Sequence, residues 1–352
     1  MIRKYHLKKQ TSKKSKPTQN RFISALPYVI MVFMKKSIIY IKYGLCLLAA
    51  LIWGLAFVAQ SSGAELLPPF AFTGIRSVIG SFALLVFVLI RDGVNKSLQI
   101  KKGIYQKKIL SRKEKLYLYC GAAALGVLLF TATNLQQAGL SYTSAGKAGF
   151  ITALYIVLVP VFSLFLKKKC PPAVWIAVVI ALSGLFFLCV EKGEGLSVGK
   201  GEIMVLLCAV AFSFQIIVID IVAPYTDVVK LSCLQFFVCG ILSLVCMAIW
   251  EKPLWENVIA CKWELLYVGI FSTAIAYTLQ IFGQKGTNST IASLLYSLES
   301  TFAVLGGAVI LHQKLSAREW IGCALMVAAI LTIEIPDVIK SLRGKTNDKS
   351  IS

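Results

Sequence analysis

Three ionisable side chains stand inside apolar runs of the sequence: Arg76, Lys147 and Glu299. A charge in hydrocarbon costs roughly 2.5 to 3.5 kcal/mol on insertion scales, so each must snorkel, pair or face a wet cavity. Arg76 and Lys147 come soon after the outer start of their runs, where Lys147 can snorkel to the interface and Arg76 can pair with a carbonyl or a carboxylate. Glu299 lies near the middle of its run, too deep to reach water without a cavity. Glu299 paired with one of the cations would leave net positive charge along a path, which suits a solute bearing a carboxylate. A carboxyl in such a place can also take up and release a coupling proton, and the residues alone leave both roles open.

Uncharged polar residues stripe the same runs at helical spacing. Thr273, Tyr277, Gln280 and Gln284 fall on one face, as do Trp53, Phe57 and Gln60. Asn134 with Gln137, Thr152 with Tyr155, and Tyr296 with Glu299 add to the set. Amides and hydroxyls also join neighbouring helices, at about 0.6 kcal/mol each. Four of them on one face exceed what packing needs, so the stripe ending at Gln284 reads as the wall of a cavity. Other chemistries are poorly supplied. The ten cysteines are scattered with no CxxC pair, and the histidines are His6 and His312 only, so no disulfide framework, metal site or cofactor is expected. The nearest approach to a phosphate loop, Gly193 to Gly201, has the wrong spacing and ends in glycine where Ser or Thr is required.

These residues need helices to hold them. The 352 residues are 57% hydrophobic, above the roughly 45 to 50% of soluble domains, and apolar runs near 20 residues recur where strands would need fewer. The sequence predicts an all-α membrane protein with ten transmembrane helices, at about 43–62, 70–90, 116–137, 145–166, 173–190, 202–222, 228–250, 263–284, 288–311 and 318–335. With the N-terminus inside, predicted cytoplasmic segments hold 29 Lys and Arg against 6 in the outer loops. That asymmetry puts both termini in the cytoplasm of a cell membrane. It also accounts for the net charge of +21 without nucleic acid. Residues 1–42 carry eleven basic residues and no acidic one, and their apolar run from Phe22 to Phe33 is too short to span. They read as a basic cytoplasmic tail, with Met31 and Met34 as alternative starts; residues 336–352 form a second tail. Ten spans split into two fives, 43–190 and 200–335, and an odd number of crossings inverts the second half relative to the first. Gln137-Ala-Gly against Gln284-Lys-Gly and Trp175-Ile-Ala against Trp320-Ile-Gly repeat in the same order.

Together, Leu51-Ile-Trp-Gly-Leu-Ala-Phe-Val, Arg76, Thr143-Ser-Ala-Gly-Lys-Ala-Gly-Phe through Pro160, Tyr277-Thr-Leu-Gln and Leu298-Glu-Ser-Thr-Phe-Ala resemble the EamA family of the drug/metabolite transporter superfamily. The resemblance covers about residues 40 to 335. It implies two inverted five-helix repeats around a central cavity, and secondary active transport of a small metabolite by alternating access, coupled to a proton or sodium. An amino acid or organic acid fits the charges. Members often carry a glutamate after the fourth helix of each repeat; here Lys167-Lys-Lys-Cys-Pro-Pro and Gln313-Lys-Leu stand there, and Ser300 replaces the proline expected after Glu299. An integral-membrane enzyme or a channel-like pathway is the alternative, although no HExxH or carbonyl filter motif occurs. The basic loop from Arg91 to Lys115 is assigned to orientation and to contact with the lipid bilayer.

Overall fold

The computed structural model describes residues 20–106, 109–143, 145–167, 170–190, 199–310 and 315–332. Residues 1–41 form one unit, helical from Asn20 where described, and residues 42–352 form the other. The whole of tail 336–352, and Gln313 and Lys314 of the Gln313-Lys-Leu position, fall outside the described residues.

The described residues form helices and no strand. In order they are α1 (Asn20–Leu66), α2 (Pro69–Lys101), α3 (Arg112–Leu140), α4 (Ala145–Thr152), α5 (Tyr155–Phe165), α6 (Pro172–Cys189), α7 (Lys200–Val222) and α8 (Val228–Trp250). There follow α9 (Trp255–Ala260), α10 (Lys262–Tyr267), a π-helical segment (Val268–Ala276), α11 (Tyr277–Gln284), α12 (Ser289–Tyr296), α13 (Leu298–Ile310) and α14 (317–332). Eight stretches are long and apolar enough to cross a membrane, from Ser37–Leu66 to Lys262–Gln284. The other two expected spans do not meet that measure within the described residues. The stretch 288–311 is broken at Ser297 into pieces of 8 and 13 residues, and the last is described only over 317–332.

The chain enters and leaves its helices by recognisable chemistry. Pro69 and Pro172 open α2 and α6 at a position whose N–H would be unsatisfied in any case. Ser111 and Glu114 form a reciprocal capping box at α3, and Asp227 caps α8 by accepting from Val229 and Lys230 N–H at 3.1 Å.

Three long contacts organise the second unit: α2 lies along α8, and α3 lies along both α7 and α8. The α2–α8 pair is antiparallel and tied at both ends. At one end the Glu251 carboxylate, just past α8, accepts from Phe70 and Ala71 N–H at 3.0 and 2.8 Å, where the N-terminal dipole of α2 favours an anion. At the other end Arg91 reaches Asp227 at 2.9 Å and Lys230 reaches Asp92 at 2.7 Å. Burial opposes charge on Asp227, but the Arg91 guanidinium and the Lys230 backbone N–H outweigh it and hold the carboxyl below its ordinary range.

Small residues bring these helices close. A Cβ on Gly126 would meet Val238 and the Gln235 carbonyl of α8, and one on Gly54 would lie 2.5 Å from the Glu299 carbonyl oxygen of α13. Such approaches are the usual way membrane helices gain dispersion contacts in the absence of a hydrophobic drive.

Candidate functional site

Near the middle of the bundle, polar and aromatic side chains from six of the long segments surround a cavity of about 40 Å³. Arg76 of α2 is the basic residue in its wall and Glu299 of α13 the acidic one. Arg76 is 4% exposed, donates from Nη1 to Gln60 Oε1 at 3.0 Å, and lies 5.7 Å from the centre of the Phe72 ring. Its Nε has no hydrogen-bond partner among the described residues. Glu299 accepts from the Tyr155 hydroxyl at 3.3 Å. Of the two cations considered for Glu299, Arg76 shares its cavity but forms no ion pair with it: each bonds an uncharged partner instead.

Local breaks put these groups there. Tyr155 opens α5 after a two-residue break at Ala153 and Leu154, about one turn before Pro160, whose ring excludes the carbonyl four residues back and whose nitrogen donates nothing. Glu299 sits two residues past the Ser297 break. Ser293 and Ser297 turn their hydroxyls onto the Thr290 and Leu294 carbonyls at 2.8 Å, a competition that bends helices. Ser300 therefore does not leave the second stretch straight; serine back-bonding breaks it where proline bends the first. Gly54 admits the α13 backbone close to α1, and its neighbour Trp53 points into the cavity.

The aromatic wall is made of edges. Trp53 meets Tyr277 at 4.7 Å and Tyr296 at 5.7 Å, both near T-shaped, and Phe236 meets Tyr277 at 5.1 Å from behind. Trp53 Nε1 donates to the Ser272 carbonyl at 3.4 Å, an acceptor within the π-helical segment. Tyr296 donates to the Gln280 carbonyl at 3.3 Å and accepts from Cys46 Sγ. Opposite lies a reciprocal amide pair, Gln215 on α7 and Gln280 on α11, each donating to the other at 3.2 Å and both almost fully buried.

Seven residues singled out in sequence for the path line this cavity: Trp53, Gln60, Arg76, Tyr155, Tyr277, Gln280 and Tyr296, with Glu299 as the eighth. Four lie elsewhere. Gln137 sits just behind the wall, donating to the Gln60 carbonyl at 3.0 Å. Asn134 donates to Ser243 of α8 at 3.0 Å, and Gln284 bonds the Ile216 carbonyl of α7. Lys147 is half-buried away from the lining, its charge acting on Glu202. Thr273, expected on the same stripe as Tyr277, instead packs against Gly80 of α2. The π winding shifts the register: its hydrogen bonds run from i to i+5 and its turn holds more residues than an α turn, so the face above Tyr277 moves toward Ser272, which lines the cavity.

The stripes missed Gln136, Gln215 and Ser272. Gln136 donates to Thr152 Oγ1 at 3.2 Å; its neighbour Gln137 had the same composition signal, and only helix rotation distinguishes them. Gln215 had a usable signal, a lone amide deep in the apolar run of α7.

Comparison with known proteins agrees with this architecture. The model of the EamA-like transporter family matches residues 40–190 and again 199–335. An uncharacterized transporter of Archaeoglobus fulgidus is 29% identical over 301 residues, covering 84% of this chain and 86% of its own. The uncharacterized transporter YoaV of Bacillus subtilis is 24% identical over 80% of this chain and 92% of its own. A chloroplastic WAT1-related protein of Arabidopsis thaliana is 26% identical over 81% of this chain and 67% of its own. A protein crystal structure matches with a TM-score of 0.66 at 19% identity, covering 84% of this chain and 96% of that one, a likeness of fold. A double match across nearly the whole chain, over a bundle of membrane-length helices enclosing a polar cavity, makes this protein a multi-pass membrane transporter of the EamA-like transporter family.

Proposed function

We propose that this protein is a secondary active carrier that moves a small carboxylate-bearing metabolite, an amino acid or an organic acid, across the cell membrane by alternating access. Its ten crossings form two inverted five-helix halves with both termini in the cytoplasm. The observation that carries this reading is the pair of unlike charges, Arg76 and Glu299, set in one polar and aromatic cavity without neutralising each other. A buried guanidinium with an unused donor is costly unless an anion or water meets it. A carboxylate can take two parallel hydrogen bonds from a guanidinium, a geometry an ammonium side chain cannot offer.

The two broken helices support the inverted arrangement. The breaks at Ala153-Leu154 and at Ser297 fall in the fourth and ninth expected spans, corresponding places in the two halves, and both border the cavity. Interrupted helices at matching positions are the usual sequence-level pointer to a carrier's binding site. The cavity of about 40 Å³ holds a few waters but no metabolite, so substrate entry requires the wall to move, and the breaks are where it gives. Glu299, as the acid of the wall, is the group placed to carry a coupling proton.

Purified protein in proteoliposomes tests the reading. Uptake of labelled amino and organic acids is expected to saturate and to be accelerated by unlabelled substrate on the far side. Arg76→Gln is expected to lower that flux about tenfold or more, the scale of losing hydrogen bonds to a charged group, while leaving the protein folded. Non-saturating flux would mark a channel, and chemical alteration of the solute an enzyme. Comparing metabolite pools inside and outside cells lacking the gene identifies the cargo without a prior guess.

A further inference from the structure

We propose that the inner end of α2, with the described residues flanking the start of α3, is a docking surface for acidic phospholipid headgroups. Helix α2 has 33 residues, about 50 Å at 1.5 Å per residue, against a hydrocarbon core of about 30 Å. Glu251 pins its other end at Phe70 and Ala71, so the surplus projects beyond Arg91.

That surplus does not turn polar all round. Phe87, Ile90, Val94 and Leu98 continue a single exposed face at helical spacing, each at least 50% exposed. On the opposite side Asp92, Asn95 and Gln99 line a wide polar cleft of about 770 Å³ shared with Tyr225 and Lys230. A helix end standing in water gains nothing from continuing its lipid-facing stripe, whereas one tilted down to headgroup level keeps Val94 and Leu98 in the acyl boundary.

The net charge around this face is positive. Asp92 and Asp227 are taken up by Arg91 and Lys230, and the described basic residues that follow, Lys96, Lys101, Lys102, Arg112, Lys113 and Lys115, stand against Glu114. Lys101, Lys102 and Arg112 are exposed, interleaved with exposed Ile100, Ile104 and Ile109. Basic residues alternating with apolar ones beside a bilayer fit the negative headgroups of an acidic leaflet, and the positive-inside count puts this end at the cytoplasmic leaflet.

Native mass spectrometry of the full-length protein, titrated with phosphatidylglycerol or with phosphatidylcholine, tests the assignment. Phosphatidylglycerol is expected to be retained in preference, and the combined change Lys101→Gln, Lys102→Gln and Arg112→Gln to weaken its retention at least tenfold, from about fivefold per charge. Phosphatidylcholine retention should not change. Raising the salt to about 0.5 M should release phosphatidylglycerol from the unaltered protein, a readout that stands even if the triple variant does not fold. Equal retention of the two lipids overturns the proposal. So does phosphatidylglycerol retention that the variant, or salt where the variant cannot be purified, leaves at its original level.

Discussion

At the scale of single residues, the cavity wall is built from groups that satisfy one another. Gln215 and Gln280 exchange two hydrogen bonds in a setting where neither can reach bulk water. Truncating one leaves the other's amide buried and unpaired, so Gln215→Ala is expected to lower stability by about 1 to 3 kcal/mol. The double variant Gln215→Ala with Gln280→Ala should cost less than the sum of the single changes, because the second removal orphans nothing. A double-mutant cycle by denaturation in detergent measures that coupling, and additive losses would show that the two amides are held by other partners. Arg76 differs in kind, since its Nε has no hydrogen-bond partner among the described residues; under the proposed function its replacement is expected to act on flux far more than on stability.

At the scale of elements, two stretches reach similar breaks by different chemistry. Proline interrupts the hydrogen-bond ladder beside Tyr155, and serine hydroxyls compete for it beside Glu299. Pro160→Ala is expected to make the first stretch stiffer and to slow transport while thermal stability holds or rises; an unchanged turnover would mean the break plays no part in opening the cavity. Close approach sets a second constraint. A side chain at Gly54 would run into the α13 backbone at Glu299 and Ala303, neither of which can step aside as a flexible side chain would. Gly54→Val is therefore expected to destabilise by about 1 to 3 kcal/mol through overpacking, read as a lower melting temperature in detergent, and to displace Glu299 from the cavity.

At the scale of the whole bundle, the antiparallel α2–α8 pair is held at both ends by carboxylates at helix N-termini: Asp227 on α8 and Glu251 on α2. Asp227→Ala removes a helix cap and the partner of Arg91 together, with an expected loss of about 1 kcal/mol from the cap. Because the folded protein holds Asp227 below its ordinary range, its contribution is fully present above the unfolded carboxyl's value near about 4 and disappears as the pH falls through the lowered folded value. Thermal unfolding of the parent and Asp227→Ala proteins should thus differ by a constant amount from neutral pH down to about 5 and converge only in strong acid. Convergence already at neutral pH would remove the tie from the stability of the fold.

Composition and the length of the apolar runs were enough to establish a helical membrane protein, because bilayer thickness sets a minimum run that few other structures need. The order of short motifs was enough for the family. Type and depth likewise singled out Arg76, Glu299 and the Trp53, Tyr277 and Gln280 wall, since charges and amides in hydrocarbon have few places to go. Which neighbour of a pair faces inward was decided only in three dimensions: Gln136 over Gln137 follows from the rotation of α3 against its partners, and Ser272 over Thr273 from a π winding that no spacing rule for α-helices anticipates. The separation of Arg76 from Glu299 was also a tertiary outcome, because each found an uncharged partner on another helix: Gln60 on the preceding helix for Arg76, and Tyr155, 144 residues earlier in the chain, for Glu299.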